Sequence, residues 1–539
     1  MKKVGIFLNF DPSVKLYREG LGRLLVNIIK GGVLINKRYV IACPSWSRKS
    51  LSDFFEEENI NLDNVEFVGP KSQPFSLIVY EWLLKEKSYN LKRKFKILKK
   101  ITSFCQLFLK RCLGKTLSLS KTNFFIFCLL LFALIYLSFK LFFDIFILFI
   151  IILAISIISF ILFSSIKARV FQIFLKILNK LSSVKRNFSC FELYENISFF
   201  ETQKILAAIN QHKEIDVCFC PTVFWPEFNL IKAAKVAVVP DIVLEDFPVG
   251  FAKVSNKIHD KNLEKIRKTI SNCEHFITYS DNIKYSILID RFHKTEENIR
   301  VIKHGWTDLS QYIDFNVKGN LRKSQETWTN RVAQALTLLK NYSNFKNLPA
   351  NGFDFIFYSS QNRPNKNIFN LIKAYSILVH HCFLSHKLLL TCFPSSELEE
   401  LIERENLTGK VVFVPGVSQM DLASLFYAAD IAINPSLAEG GFPFTFAEAL
   451  SVNTPIVMSD NHVNREVLSK FKFSDRMLFN PLDILDIKNK ILDCIENRQV
   501  FLNNQNTIAL EMKSRTWEKV AEEYNTYLSE ISDDWRNGD

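Results

Sequence analysis

Four charged side chains in the carboxyl-terminal half have the types and spacing to hold a phosphorylated, polyhydroxylated ligand. Glu439 and Glu448 stand on either side of a turn, Gly440-Gly441-Phe442-Pro443, and offer acceptors to sugar hydroxyls. Paired glycines let a ligand approach the backbone and let amide N–H groups point at it near a helix amino terminus. Upstream, Arg363 and Lys366 share the run 361–367, QNRPNKN. Arginine grips phosphate oxygens bidentately and lysine acts as a point charge, so this pair suits a diphosphate. Each motif alone also fits a plainer account: a surface glutamate pair on an ordinary strand–helix–strand unit, or two solvated cations at a helix start. Their occurrence in order on one half of the chain favours the ligand.

The elements that must position these residues follow from the hydrophobic pattern. The short apolar run 428–436, AADIAINPS, predicts a buried parallel strand ending at Pro435-Ser436. An apolar helix start carries Glu448, and 454–459 predicts a second strand. Such a crossover gathers its ligands at the carboxyl ends of the strands. Residues 355–360 predict a strand leading into the QNRPNKN run, and 368–378 have helical spacing. Two further strands are expected at 387–392 and 410–415, the second followed by Gly416-Val417. The amino half opens in the same style, with a strand at 3–9 and Gly20-Leu21-Gly22 at the start of a helix. A lone Gly-x-Gly is equally a tight turn with close packing. Strand-to-loop transitions at 215–226 and 235–241, the latter ending on Asp241, and strands at 275–280 and 299–305 complete that half.

The stretch 434–460 resembles the donor-site signature of glycosyltransferase family 4, retaining enzymes of the two-Rossmann-domain GT-B fold. That family shows Pro-Ser, a glutamate, a Gly-Phe-Gly turn, a second glutamate and a Gly-Thr-Pro-Val-Val strand. Here Phe446-Ala447-Glu448-Ala449-Leu450 fits without gaps, eight residues rather than seven separate the glutamates, and Asn453 stands where glycine is common. Lys366 matches the family lysine that grips the donor diphosphate; Gln361 occupies the usual arginine position, and Arg363 is taken as its substitute. The resemblance implies that Glu448 meets the donor ribose and that Glu439 with the Gly440, Gly441 and Phe442 amides holds the sugar. It implies that Gly416 and Val417 lie under the nucleobase and that Gly20 and Gly22 face the donor phosphates. It makes Asp241 and His304 cleft-edge candidates toward the acceptor, although such a histidine is more often structural than catalytic. It also implies a last helix, beginning at Trp517, that returns to the amino-terminal domain.

One segment fits no Rossmann domain. Residues 124–139 and 145–163 are almost wholly apolar, with Lys140 and Asp144 in the break between them. At about 1.5 Å per residue the second run spans a bilayer core and the first nearly does, which predicts a transmembrane hairpin rather than a buried helix pair. Between Lys85 and Lys121 there are twelve Lys or Arg and a single acid, Glu86. Lys167, Arg169, Lys176, Lys180, Lys185 and Arg186 follow the apolar block. Basic flanks on both sides predict that both ends, and hence both Rossmann halves, face the cytoplasm. Residues 91–113 and 166–181 mix basic and apolar residues at near-helical spacing and suit anionic lipid head groups.

The net charge of +13 is concentrated around this hairpin, favouring a membrane surface over nucleic acid, for which no binding motif is present. Eleven cysteines without a Cys-x-x-Cys pair suit reduced thiols rather than a disulfide framework or zinc site. A strand directly after Met1 argues against a signal peptide. No Asp-x-Asp triplet occurs, and a cationic pair neutralises a diphosphate without a metal, so no metal or other cofactor is expected.

The expected architecture is α/β: a GT-B fold of two Rossmann-like domains facing a cleft, with an inserted α-helical membrane hairpin in the amino-terminal domain. The boundaries are 1–84 and 189–315 for the amino-terminal domain, 85–188 for flanks and hairpin, and 316–351 for an insertion or linker. The donor-binding domain spans 352–510 and the returning helix 511–539. The expected function is a retaining, metal-independent hexosyltransferase at the cytoplasmic membrane. It would move a sugar from a nucleotide diphosphate sugar to a lipid-linked saccharide or glycolipid, with Arg363, Lys366 and Glu439 as catalytic residues. A nucleotide-sugar epimerase of the same twin-Rossmann fold and a non-catalytic membrane scaffold are the alternatives.

Overall fold

The computed structural model describes residues 3–12, 14, 20–77, 190–255, 257–313 and 353–538. The expected hairpin, its basic flanks and the insertion at 316–351 lie outside the described residues. Among the described residues, no helix is long and apolar enough to cross a membrane.

Two wholly parallel sheets carry the fold. The amino-terminal sheet has β1 (Lys3–Phe7), β2 (Tyr39–Ala42), β3 (Val65–Val68), β4 (Ile215–Cys220), β5 (Ala234–Val239), β6 (His275–Thr278) and β7 (Ile299–Val301). The carboxyl-terminal sheet has β8 (Phe355–Tyr358), β9 (Lys387–Leu390), β10 (Val411–Phe413), β11 (Ile431–Asn434), β12 (Ile456–Ser459) and β13 (Leu478–Phe479). Their orders are β3-β2-β1-β4-β5-β6-β7 and β10-β9-β8-β11-β12-β13. Central strands such as β8 and β11 are apolar on every residue but one because helices cover both faces, leaving no polar side to alternate. Each order reverses once, between β1 and β4 and between β8 and β11. At that reversal neighbouring connections leave in opposite directions and open a crevice beyond the strands' carboxyl ends. The sheet architecture is therefore the α/β GT-B-like arrangement.

Among the described residues, the chain passes between the halves twice. After β7 it crosses at 302–313, where Leu309 and Ile313 join the carboxyl-terminal core. It returns near Arg515, and the two crossings are laced together. Trp306 N donates to Arg515 O at 2.8 Å, and Arg515 Nη2 donates to Lys303 O at 2.8 Å. The last helix, Trp517–Gly538, then packs on the amino-terminal domain, placing Val520, Tyr524, Tyr527 and Leu528 in its core. Helix α1 (Gly20–Leu34) meets it so closely that a Cβ on Gly31 would lie 2.8 Å from Ala521 Cβ. Asn525 Nδ2 donates to Tyr39 OH at 3.1 Å in the same contact.

Candidate active site

Lys366 and Glu439 come from the two loops that leave the carboxyl-terminal switch point in opposite directions. The chain beyond β8 forms a single 3-10 turn, Pro364–Lys366, and the chain beyond β11 forms the Pro435–Pro443 loop. Their backbones are tied: Leu437 N donates to Asn365 O at 2.8 Å and Asn365 Nδ2 to Ala438 O at 3.1 Å. Tyr358, the last residue of β8, places its hydroxyl 3.2 Å from Ser436 Oγ and 3.3 Å from Lys366 O. On this frame Lys366 Nζ donates to Glu439 Oε1 at 2.6 Å. Burial is the largest single influence and works against the Lys366 charge, but Coulomb attraction to Glu439, the Tyr358 hydroxyl and the hydrogen bond to Glu439 together more than offset it. The ammonium is therefore held above its ordinary range and stays charged across the physiological window.

Asp241 faces this pair from the amino-terminal domain, at the carboxyl end of β5. Burial raises its carboxyl, the Arg363 and Lys366 charges act against that, and Glu439 adds to it. Its Oδ1 accepts from Val243 N at 3.3 Å. A small cavity of about 70 Å³ lies between the halves here, with Asp241, Asp246 and Asn282 on one side and Glu439, Asn461 and His462 on the other. Arg363 is exposed at the mouth of the same loop.

The glycine turn does something the sequence pattern does not convey. Gly440 and Gly441 are pressed against the amino-terminal domain, so their missing side chains serve the closeness of the two halves. A Cβ on Gly440 would fall 1.5 Å from Pro240 O, and one on Gly441 would fall 2.7 Å from Tyr279 Cβ. Gly440 O accepts from Ser280 Oγ at 2.9 Å. His304 closes the turn from below: Phe442 O accepts from its Nδ1–H at 3.3 Å, and the ring stacks on Phe444 with centroids 4.6 Å apart. Burial pulls the His304 imidazole down to about 4, with the Phe442 contact opposing. It is neutral near pH 7 and too weakly basic to take a proton efficiently there, which fits a structural ring at the hinge.

Glu448 sits on the helix Phe444–Ser451 and is buried. Its partner is Arg23 of α1, whose Nη1 is 2.6 Å from Glu448 Oε1. The amino-terminal Gly20 and Gly22 thus start the helix that reaches Glu448 across the cleft. A second clasp lies at the cleft edge. Glu466 accepts from Asp281 N at 3.0 Å and Asn282 N at 3.3 Å, and it pairs with Lys303 at 2.7 Å. Gly416 has φ +76, the left-handed region that favours glycine, and Val417 packs half-buried on the carboxyl-terminal core. Asn453 has φ +62, which asparagine tolerates better than other side chains, so it substitutes for glycine at the turn into β12.

The sequence alone does not single out Arg23, Ser280 or Glu466. Arg23 directly follows the Gly-x-Gly and Ser280 ends a predicted strand. Glu466, on a short polar helix, carries no signal. Two acid–histidine groups among the described residues have metal-ligand spacing: Glu66, His212, Glu214 and Asp354, His386, Asp430. Each has members at or just before the starts of the strands, on the face away from the cleft. Lys3 already bridges Glu66 and Glu214 at 2.6 and 2.7 Å.

Residues 340–509 match the family described as Glycosyl transferases group 1. Over 146 residues the chain is 28% identical to O-antigen chain mannosyltransferase B of Escherichia coli, covering 26% of this chain and 37% of that one. It is 32% identical over 109 residues to O-antigen chain mannosyltransferase RfbU of Salmonella typhimurium, covering 20% and 30%. The chain thus matches about a third of the length of these curated relatives. Among solved structures it is similar to Anabaena HepE in complex with UDP and glucose. That likeness has a TM-score of 0.53 at 14% identity and covers 98% of this chain and all of the other, and it establishes the fold.

Proposed function

We propose that this protein is a glycosyltransferase that moves a hexosyl group from a nucleoside diphosphate sugar to a hydroxyl of a lipid-linked saccharide or glycolipid. The Lys366–Glu439 pair, built from both loops of the switch point and faced by Asp241, carries this reading. The group 1 match over the same half, the mannosyltransferase relatives and the UDP held by the structural neighbour support it. The bond between the anomeric carbon and the departing phosphate oxygen breaks as the acceptor oxygen bonds to the same carbon. Lys366, with Arg363 beside it, stabilises the charge that develops on the diphosphate, so the site works without a metal. Donor entry separates Lys366 from Glu439, freeing the glutamate to accept from sugar hydroxyls. Glu448 accepts from the ribose, and the nucleobase lies over Gly416 and Val417. Asp241 is the carboxylate nearest an incoming acceptor. Attack from the leaving-group face, without a protein nucleophile, would retain the anomeric configuration and return the acceptor proton to the departing phosphate.

The acceptor class rests on the apolar runs at 124–139 and 145–163 and their basic flanks. Anchoring the enzyme on the surface that carries its acceptor raises the effective concentration of that partner. Both catalytic halves would then lie on the cytoplasmic side, building surface polysaccharide or glycolipid. Deleting residues 124–163 with a short linker is expected to move the protein from the membrane pellet to the supernatant. Transfer to a lipid-linked acceptor should fall sharply, while transfer to a short soluble analogue is largely kept. Full-length protein recovered in the supernatant would contradict the anchor.

A further inference from the structure

Arg23 is the amino-terminal domain's contact with the most deeply buried carboxylate of the cleft. The ion pair with Glu448 spans 425 positions of sequence, with the carboxylate 2% and the guanidinium 26% exposed. A buried carboxylate without a counter-charge takes up a proton rather than stay ionised. Burial does push the Glu448 carboxyl above its ordinary range, and Arg23 opposes this through its charge and its hydrogen bond. Among the described residues, Arg23 is the charged group that acts on this carboxyl. Ser451, on the same helix, donates to the Glu448 carbonyl and leaves the carboxylate alone.

We infer that Arg23 is a positioning residue for the donor ribose: it keeps Glu448 ionised and oriented as an acceptor, and does so only when the two domains are together. This role rests on the donor site proposed above. A carboxylate accepts at both oxygens, whereas the protonated acid surrenders part of that capacity and turns donor. Because the counter-charge comes from the opposite domain, donor affinity is coupled to closure. Charge stabilisation at Lys366 does not need Arg23. Loss of Arg23 therefore raises the donor KM more than it lowers kcat.

The test uses the full chain with uridine diphosphate as probe, titrated calorimetrically for wild type, Arg23→Gln and Arg23→Lys. Removing Arg23 lets burial raise Glu448 further, so binding by Arg23→Gln should weaken about tenfold or more near pH 6 and recover toward pH 9, relative to wild type. Arg23→Lys should restore most of the affinity at every pH. A second readout needs no ligand. A raised carboxyl is tolerated while protonated and disfavoured once ionised, so the melting deficit of Arg23→Gln should grow with pH. Adding Glu448→Gln should remove that growth. Equal or tighter binding by Arg23→Gln at all pH values would overturn the inference, since the pair would then be a clasp that the donor merely breaks. Wild-type protein that takes up neither uridine nor guanosine diphosphate would overturn the donor reading itself, and the ribose role with it. A deficit flat with pH would overturn the electrostatic pairing alone, so the two failures are separable.

Discussion

Replacing Lys366 with alanine is expected to lower turnover by about two to three orders of magnitude at saturating donor, the scale seen when a preorganised charge contact to a transition state is removed. The expectation rests on where the ammonium is held. It lies on a 3-10 turn anchored by Tyr358 and Asn365, at the switch point, beside a carboxylate 2.6 Å away that keeps it charged. A departing diphosphate gains charge as its bond to the sugar breaks, so the contact strengthens as the reaction proceeds. The loss should therefore appear in kcat more than in donor KM. Alanine also leaves Glu439 without its cation, so the melting temperature is measured beside the rate to separate unfolding from chemistry. A folded variant with near-normal turnover would mean that the diphosphate sits elsewhere.

Gly440→Ala is expected to cost about a hundredfold in activity by holding the domains apart, the scale set by misplacing reacting groups by about an ångström. The added Cβ would lie 1.5 Å from Pro240 O and 2.5 Å from Pro240 C. Both are backbone atoms at the end of a core strand, with no flexible tip to swing aside. Relief must come from moving the glycine turn away from β5, which breaks the Ser280–Gly440 hydrogen bond and loosens the Phe442–His304 contact. Each domain keeps its own core, so small-angle scattering should show a slightly larger particle rather than an unfolded one. Full activity with an unchanged scattering profile would show that the closed arrangement is not the working one.

How much of this was legible in the sequence depends on whether a feature is local. The β11–turn–helix–β12 unit could be read because its apolar runs, glycines and prolines lie within about thirty residues and follow the rules for strand and helix ends. The two loops that carry Lys366 and Glu439 could be read for the same reason. What the glycines are for could not. Their pattern suggested room for a ligand against the backbone, whereas the space they leave is filled by Pro240, Tyr279 and His304 of the other domain. Arg23, Ser280 and Glu466 escaped for a related cause: their partners lie across the cleft, 425, 160 and 185 positions away, and nothing in their neighbours marks them. His304 was visible as a residue at a strand end and, through the family resemblance, as a cleft-edge candidate. Its low basicity and its seat beneath the turn follow from burial between two domains, which no local pattern encodes.

Glycosyl transfer itself is tested most directly by following both products at once. Full-length protein in membranes is given a nucleoside diphosphate hexose with or without a lipid-linked saccharide. Released nucleoside diphosphate is then quantified alongside the mass of the lipid. The account predicts release that depends on the acceptor, matched mole for mole by lipid heavier by one hexosyl residue. Donor that is epimerised without an acceptor, or left untouched across a panel of nucleotide sugars and lipid acceptors, would contradict it.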